Sequence, residues 1–562
     1  MRSLRPRSVL AIALIAGFGC ESERGEPASE PVDPSVIALS ATEKLVRVSM
    51  AIRGLRPSVE ELERVAADPA ELSVLVDRYL ESDAFGSTIR DLYNEALKVR
   101  VPASLYPAGF AAVDELEGEG VQRINVSVTE APLRLIEHVV RNDRPLTEMV
   151  TADYVLADGY VAKVWGLAYE GTGESWETAE YLDGRPHAGI LSDSWLYTRH
   201  SSTFSNKNRG RANAIARGLL CHDFVERHVE LDATIDLADP EQVNSAIETN
   251  PSCASCHQTL DPLAAFFGSY FPLFVPSFLE GYPMQGYMPE LIPLFTVKEP
   301  GYFGYPGGDV KHLGHMIAKD PRFALCQTRR FYSYFHQVPL AQVPETRAAE
   351  LNRVLLGNMS AKELVKAIVL DEGFLVSHRT RDDLPGEPPS MLKIRPWQLA
   401  SSVAELSGFR WQSDMPIDLG YGVLGRIDLM TDSLWGFEVL NGGIDAVNVA
   451  LPSHTMNASA SIVQAELAVR AADHVVEADA RFPGSAKLFT TTTPDATDEI
   501  AVRDQLALLH AAVLGELVSA DSDPVNDAYA LFQDALAEMG DAHRAWKITL
   551  SAMLQHPKLV FY

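Results

Sequence analysis

Basic residues are scarce in this chain. Its 562 residues carry 48 Lys and Arg against 76 Asp and Glu, a formal net charge of −28. A chain so acidic lacks the basic face that would hold a nucleic acid, and its charge suits a soluble body or one that docks with a basic partner. Long apolar runs are missing after Phe18, so nothing beyond the N-terminus has the length of a membrane span. Strand-like alternation is scarce as well, which leaves a mainly α architecture. Familiar catalytic signatures are missing: there is no G-x-S-x-G, no Walker loop and no H-E-x-x-H. The glycines of "DLGYGVLGRIDLM" (418–430) have the wrong spacing for a nucleotide fingerprint and no flanking βαβ unit. Paired carboxylates are everywhere in so acidic a chain, and without geometry they carry no information.

Cysteine is also sparse, with five in the whole chain, so each can be considered in turn. The first, Cys20, follows "MRSLRPRSVLAIALIAGFG", in which Arg2, Arg5 and Arg7 precede an apolar run from Val9 to Phe18. That pattern is a secretory signal peptide over residues 1–20, too short to span a bilayer. It resembles the signal of bacterial lipoproteins, in which the cysteine becomes the lipidated first residue. Gly17 stands where those signals usually carry an aliphatic, and an ordinary cleaved signal peptide is the alternative. Residues 21–36, rich in Glu, Pro and Ser, read as a disordered tether. The expectation is an exported, water-soluble body in the bacterial envelope, facing the periplasm or the cell surface and touching the membrane through a lipid anchor only.

Helical spacing dominates the remainder. Ser58 and Glu61 form a capping box, Asp68-Pro69 breaks the helix they start, and Leu72, Leu75, Val76, Tyr79 and Leu80 mark the apolar face of the next. A helix followed by a polar break and an aromatic recurs in "LSVLVDRYLESDAF", "AKELVKAIVLDEGF" and "AWKITLSAMLQHPKLVF". Its irregular spacing excludes a solenoid and fits one lock per subdomain. The charged, Pro-rich stretch 377–391 reads as a linker between a region at 37–376 and a C-terminal helical domain at 392–562, and hence a two-lobed body. Between Asn250 and Gly308, aromatics and prolines are dense, and an irregular wrap around something apolar is expected there.

Inside that segment stands "PSCASCHQTLDPL", residues 251–263. Cys253, Cys256 and His257 have the C-x-x-C-H spacing of covalent haem attachment, which composition alone would produce in such a chain on the order of one time in a thousand. Two neighbouring thiols add across the haem vinyl groups, and the adjacent histidine becomes the proximal iron ligand. Zinc would need a second ligand pair, for which Cys221-His222 is poor, and a thioredoxin-like pair would need a βαβ context. Asp261-Pro262 reads as a turn by which the chain leaves the haem. The segment "CASCHQTLDPLAAFFGSY" resembles the planctomycete-type cytochrome c domain proteins, a group of exported bacterial haem-motif proteins. The stretches at 143–167, 188–221 and 320–337 are similar to that group's successive blocks, in the same order. "LVRVSMAIRGLRPSVEELERV" resembles its N-terminal helical region, so the likeness covers roughly residues 40–376, with a weaker one at "AWKITLSAMLQHPKLVFY". It implies one covalent haem c and export, and supplies no substrate.

The sixth iron ligand decides what a haem here would do. Met288, in the Met-Pro of "EGYPMQGYMPEL", is the first candidate, with His312 and His315 as alternatives and an open position as the third outcome. Arg209, in the "RG" step of a family-like block, and Arg211 are candidates to pair with haem propionates. Cys221 and Cys326 remain; in an oxidising compartment they can pair, and each also lies in an apolar helical run where a buried free thiol is common. The leading functional expectation is a single-haem c-type cytochrome passing electrons to or from an envelope redox partner. The alternatives are a binding or structural component of a surface complex with an accessory haem domain, and a haem peroxidase if the iron is five-coordinate. Mass spectrometry of the mature protein is expected to find a lipid-modified N-terminus at Cys20; an unmodified start well past that residue would contradict the anchor.

Overall fold

The computed structural model describes residues 36–101, 121–226, 234–236, 238–270, 282–284, 286–379, 391–415 and 425–562. The leader, Cys20 and nearly all of the tether lie outside these residues. The described chain is mainly helical, as expected, with only short ladders of two or three strands. Among the described residues no helix is long and apolar enough to cross a membrane.

The N-terminal helices follow their sequence signals closely. Helix α1 (Ala41–Arg53) opens on a capping box of Ser40 and Glu43, and α2 (Val59–Ala67) on the box of Ser58 and Glu61, each satisfying two otherwise orphaned backbone donors. The chain breaks at Asp68-Pro69, and α3 (Glu71–Leu80) buries Leu72, Leu75, Val76, Tyr79 and Leu80. Helix α4 (Asp83–Leu97), capped by Ser82, packs along α5 (Val121–Arg141). The recurrent aromatics Phe85 and Phe374 are both fully buried after their helices, where they lock the helix end into the core.

The expected linker begins as structure. Val376–Arg379 forms a strand antiparallel to Val36–Ala38, which satisfies backbone that a free linker would leave to water; residues 380–390 lie outside the described ones. Past it, the chain returns to the first region at once. The Lys393 amide donates to Gln337 Oε1 at 2.9 Å and Gln337 Nε2 donates to the Lys393 carbonyl at 2.6 Å, while Leu392 exchanges two backbone hydrogen bonds with the last residue, Tyr562. The buried Arg47 of α1 donates to the carbonyls of Phe374 (3.0 Å), Val376 (2.8 Å) and Tyr562 (3.1 Å). Gln398 and Ser402, on the helix Pro396–Ser407, bond the carbonyls of Met50 and Gly54 at 3.0 and 2.8 Å. Gly54 has φ +63°, and a Cβ there would lie 2.7 Å from the Trp397 ring, so both its backbone and its neighbour require glycine. One apolar core runs from Leu45 to Val560, so the two expected lobes share an interior.

A buried charge network fastens this junction. Arg395 reaches Glu95 at 2.6 Å, lies 3.8 Å above the Tyr334 ring and donates to the Tyr334 carbonyl at 3.1 Å. The Tyr334 hydroxyl donates in turn to Asp91 at 2.8 Å. Three parts of the chain, α4, the helix Pro321–His336 and the start of Pro396–Ser407, thereby meet on one guanidinium. Removing one member of such a pair leaves the other charge buried alone, at about 3–5 kcal/mol. Arg395→Met is therefore expected to lower the urea midpoint by the equivalent of about 3–5 kcal/mol. An unchanged midpoint would mean that the two regions fold independently.

Candidate haem-attachment site

The C-x-x-C-H motif lies on a helix, Pro251–Ala265. Asn250 ends the preceding helix, Pro240–Thr249, and caps the next, its side chain accepting from the Ser252 amide at 3.0 Å. Pro251 occupies the first helical position, where no donor is needed. Cys253, Cys256 and His257 fall at i, i+3 and i+4, and so share one face. All three are half-buried, and neither thiol is in a disulfide. Farther along the helix the chain is buried, at Asp261, Leu263, Ala264 and Ala265, where the helix packs against Arg209–Leu220 and the strand Gly301–Tyr302.

Two expectations are corrected here. Asp261-Pro262 does not turn the chain: the helix runs through it to Ala265. Proline disfavours the helical region for its predecessor and removes one ladder bond, but burial of the Leu263–Ala265 face outweighs that cost. The segment 250–308 is accordingly not an irregular wrap throughout, since it contains this helix, the short helical turns at Pro289–Leu291 and Ile292–Phe295, and a two-stranded ladder. Residues 271–281 of it are outside the described ones.

Asp261 is the pivot of the site. One helical turn after His257, its Oδ1 lies 2.9 Å from His257 Nδ1. The same carboxylate accepts from Arg209 Nε at 2.6 Å and Nη2 at 3.0 Å, and only 2% of its side chain is exposed. Burial pushes the Asp261 carboxyl up, but the hydrogen bonds from His257 and Arg209, with the charge of the Arg209 guanidinium, outweigh it and hold it down at about 2. An ionised carboxylate only accepts, so His257 carries its proton on Nδ1 and leaves the lone pair of Nε2 for a metal. The tautomer of His257 is thus set by the chain itself. Two thiols on one helical face and an Nε2 ligand fit a covalent haem. They do not fit a zinc cage: among the described residues no group of three or more His, Cys, Asp and Glu side chains could hold a metal ion.

The arginines have other partners than expected. Arg209 meets the carboxylate of Asp261, which corrects its assignment to a haem propionate. Arg211 is buried, donating to the carbonyls of Tyr197 (2.8 Å), His200 (2.8 Å) and Tyr270 (3.0 Å) and to Asn208 (2.9 Å), so it holds backbone together. Met288 is half-buried, its amide donating to the Ser269 carbonyl at 2.7 Å, just past the C-terminal end of the motif helix. His257 lies near the middle of that helix, eight residues and roughly 12 Å of rise before Ala265. His312 and His315 are exposed on Val310–Lys319, a helix that buries Val310, Leu313, Gly314 and Ile317.

Cys221 and Cys326 are joined, with Cα atoms 5.3 Å apart. The bridge ties the end of Arg209–Leu220 to Pro321–His336 and encloses the motif in a loop with a sequence separation of 105. Chain-entropy arguments put the stabilisation from a loop of that length at about 4–5 kcal/mol. Beside it, His222 packs edge-on against Phe224 and Phe303, at 4.5 and 5.7 Å between ring centres, which gives that histidine an aromatic-cluster role.

A second concavity, of about 350 Å³, lies between α4 and α5 on one side and the C-terminal region on the other. Arg90, Arg100 and Glu130 line it from the first region and Arg410, Asp432 and Glu438 from the C-terminal one; the two sets are more than 250 residues apart in sequence, and no local signal announced it. No family model, curated protein or solved structure matches the chain. In chain produced without haem, a maleimide is expected to label Cys253 and Cys256 in the folded state, and Cys221 and Cys326 only after reduction. Labelling of all four without reductant would contradict the bridge.

Proposed function

We propose that this chain is an exported single-haem c-type cytochrome that transfers electrons with a partner in the bacterial envelope, held there by a lipid on Cys20. The observation that carries the reading is the face of the motif helix, where two unpaired thiols flank a histidine whose Nδ1 is already bonded to Asp261, leaving Nε2 to ligate. The likeness of several sequence blocks to the planctomycete-type cytochrome c domain proteins supports it. Cys253 and Cys256 would hold the haem and His257 would ligate its iron, and a haem so held supplies one-electron chemistry. Asp261 and Arg209 hold the imidazole plane and its proton, and the buried face of the helix keeps the ring from swinging. Met288 is the first candidate for the far side of the iron by its Met-Pro context in the sequence, with His312 and His315 the alternatives; its backbone is tied to Ser269, past the end of the motif helix, so ligation by Met288 would require that segment to move toward His257. The net charge of −28 favours a basic redox partner, with association that weakens as salt rises.

A second reading, a binding component of a surface complex with an accessory haem, draws on the charged concavity beside α4 and α5. The peroxidase reading requires a five-coordinate iron. Exported wild-type protein is expected to give the pyridine haemochrome spectrum of a haem with two thioether bonds. Cys253→Ala and Cys256→Ala should each shift it to the single-bond form, and the double variant should lose its haem on acid–acetone extraction. An exported wild type with no haem band would contradict the cytochrome reading and favour the binding one.

A further inference from the structure

The cytochrome reading assigns no role to Asp261 or Arg209 beyond holding the histidine, yet their arrangement is specific. Resting on that reading, we infer that Asp261 is a positioning residue that sets the reduction potential of the iron through His257, and that Arg209 moderates it.

The argument starts from the carboxylate. Asp261 is held through both oxygens by the Arg209 guanidinium and is nearly inaccessible, so its charge is poorly screened by water. It accepts the Nδ1 proton of His257 on Oδ1 at 2.9 Å. A histidine whose distal N–H is held by a carboxylate is a more basic ligand at its other nitrogen. A more electron-rich ligand stabilises ferric over ferrous iron and lowers the potential. Arg209 opposes this. Its Nε approaches the same Oδ1 at 2.6 Å, and its Nη2 takes Oδ2 at 3.0 Å, drawing charge from the oxygen that faces the imidazole. The guanidinium is itself fixed: Arg209 opens the helix Arg209–Leu220, and its Nη1 lies 3.4 Å from the Ser205 carbonyl. Histidine, carboxylate and guanidinium therefore form a graded series, in which the outer cation limits how much charge reaches the imidazole. A purely structural pair would hold the two helices together without this polarity.

The sign of the effect separates the two residues. In the exported full-length protein, Asp261→Asn keeps an acceptor of similar size for Nδ1 but removes the charge, and its midpoint potential in spectroelectrochemical titration should rise. Arg209→Gln releases the carboxylate to the imidazole, and its potential should fall. Both variants should keep covalent haem in the haemochrome assay. A potential unmoved by either substitution, with haem still attached, would overturn the inference while leaving the cytochrome reading intact. So would shifts of the same sign in both. If Asp261→Asn fails to fold, a fall in Arg209→Gln still supports the inference, and no change or a rise there overturns it. A wild type without covalent haem overturns both readings, and the wild-type spectrum reveals that before any variant is made.

Discussion

The candidate site depends on burying one carboxylate between two donors. Asp261 is removed from water, a position an ionised group occupies only when it is paired and hydrogen-bonded. Its partners come from one turn back on its own helix and from the start of another helix 52 residues earlier. That requirement fixes the roll of the motif helix against Arg209–Leu220. With the roll fixed, Cys253, Cys256 and His257 lie half-buried on one face of the first half of the helix, and Leu263, Ala264 and Ala265 are buried where its second half enters the core. The electrostatic constraint and the hydrophobic one select the same orientation, as they do in sequences that specify a single structure.

The rest of the molecule holds that segment in place. The Cys221–Cys326 bridge closes the loop in which the motif sits, and both its ends belong to helices of the main core. Behind them, Arg395 gathers α4, Pro321–His336 and the C-terminal region around one buried charge, while Arg47 clasps the strand Val376–Arg379 and the last residue, Tyr562. A polypeptide this large exceeds what enclosing one haem requires. Its bulk forms the shared core that carries the motif helix and the charged concavity lined by both regions.

How much of this could be read from sequence followed from how local each signal is. The capping box of Ser58 and Glu61, the break at Asp68-Pro69 and the buried face of α3 depend on neighbours within four residues, and all were legible. The C-x-x-C-H spacing was too. The turn expected at Asp261-Pro262 failed because a dipeptide preference was overridden by the tertiary burial of the residues after it. That misreading hid the His257–Asp261 pair, although a histidine and an aspartate four apart on a helix are a readable contact. The Cys221–Cys326 pair, 105 apart, was one of two open readings, reached because the other cysteines had assignments; Arg209–Asp261, 52 apart, had no such count to point to it. Arg209 was singled out as a carboxylate binder for sound chemical reasons, but the carboxylate is the chain's own.

The central claim is that His257, oriented by Asp261, ligates the iron of a haem fixed to Cys253 and Cys256. A crystal structure of the exported protein, with anomalous data collected at the iron edge, tests it most directly. The account predicts one iron peak at bonding distance from His257 Nε2, density joining a macrocycle to both sulfurs, and Nδ1 still bonded to Asp261. No iron peak, or a peak away from Nε2, would contradict it.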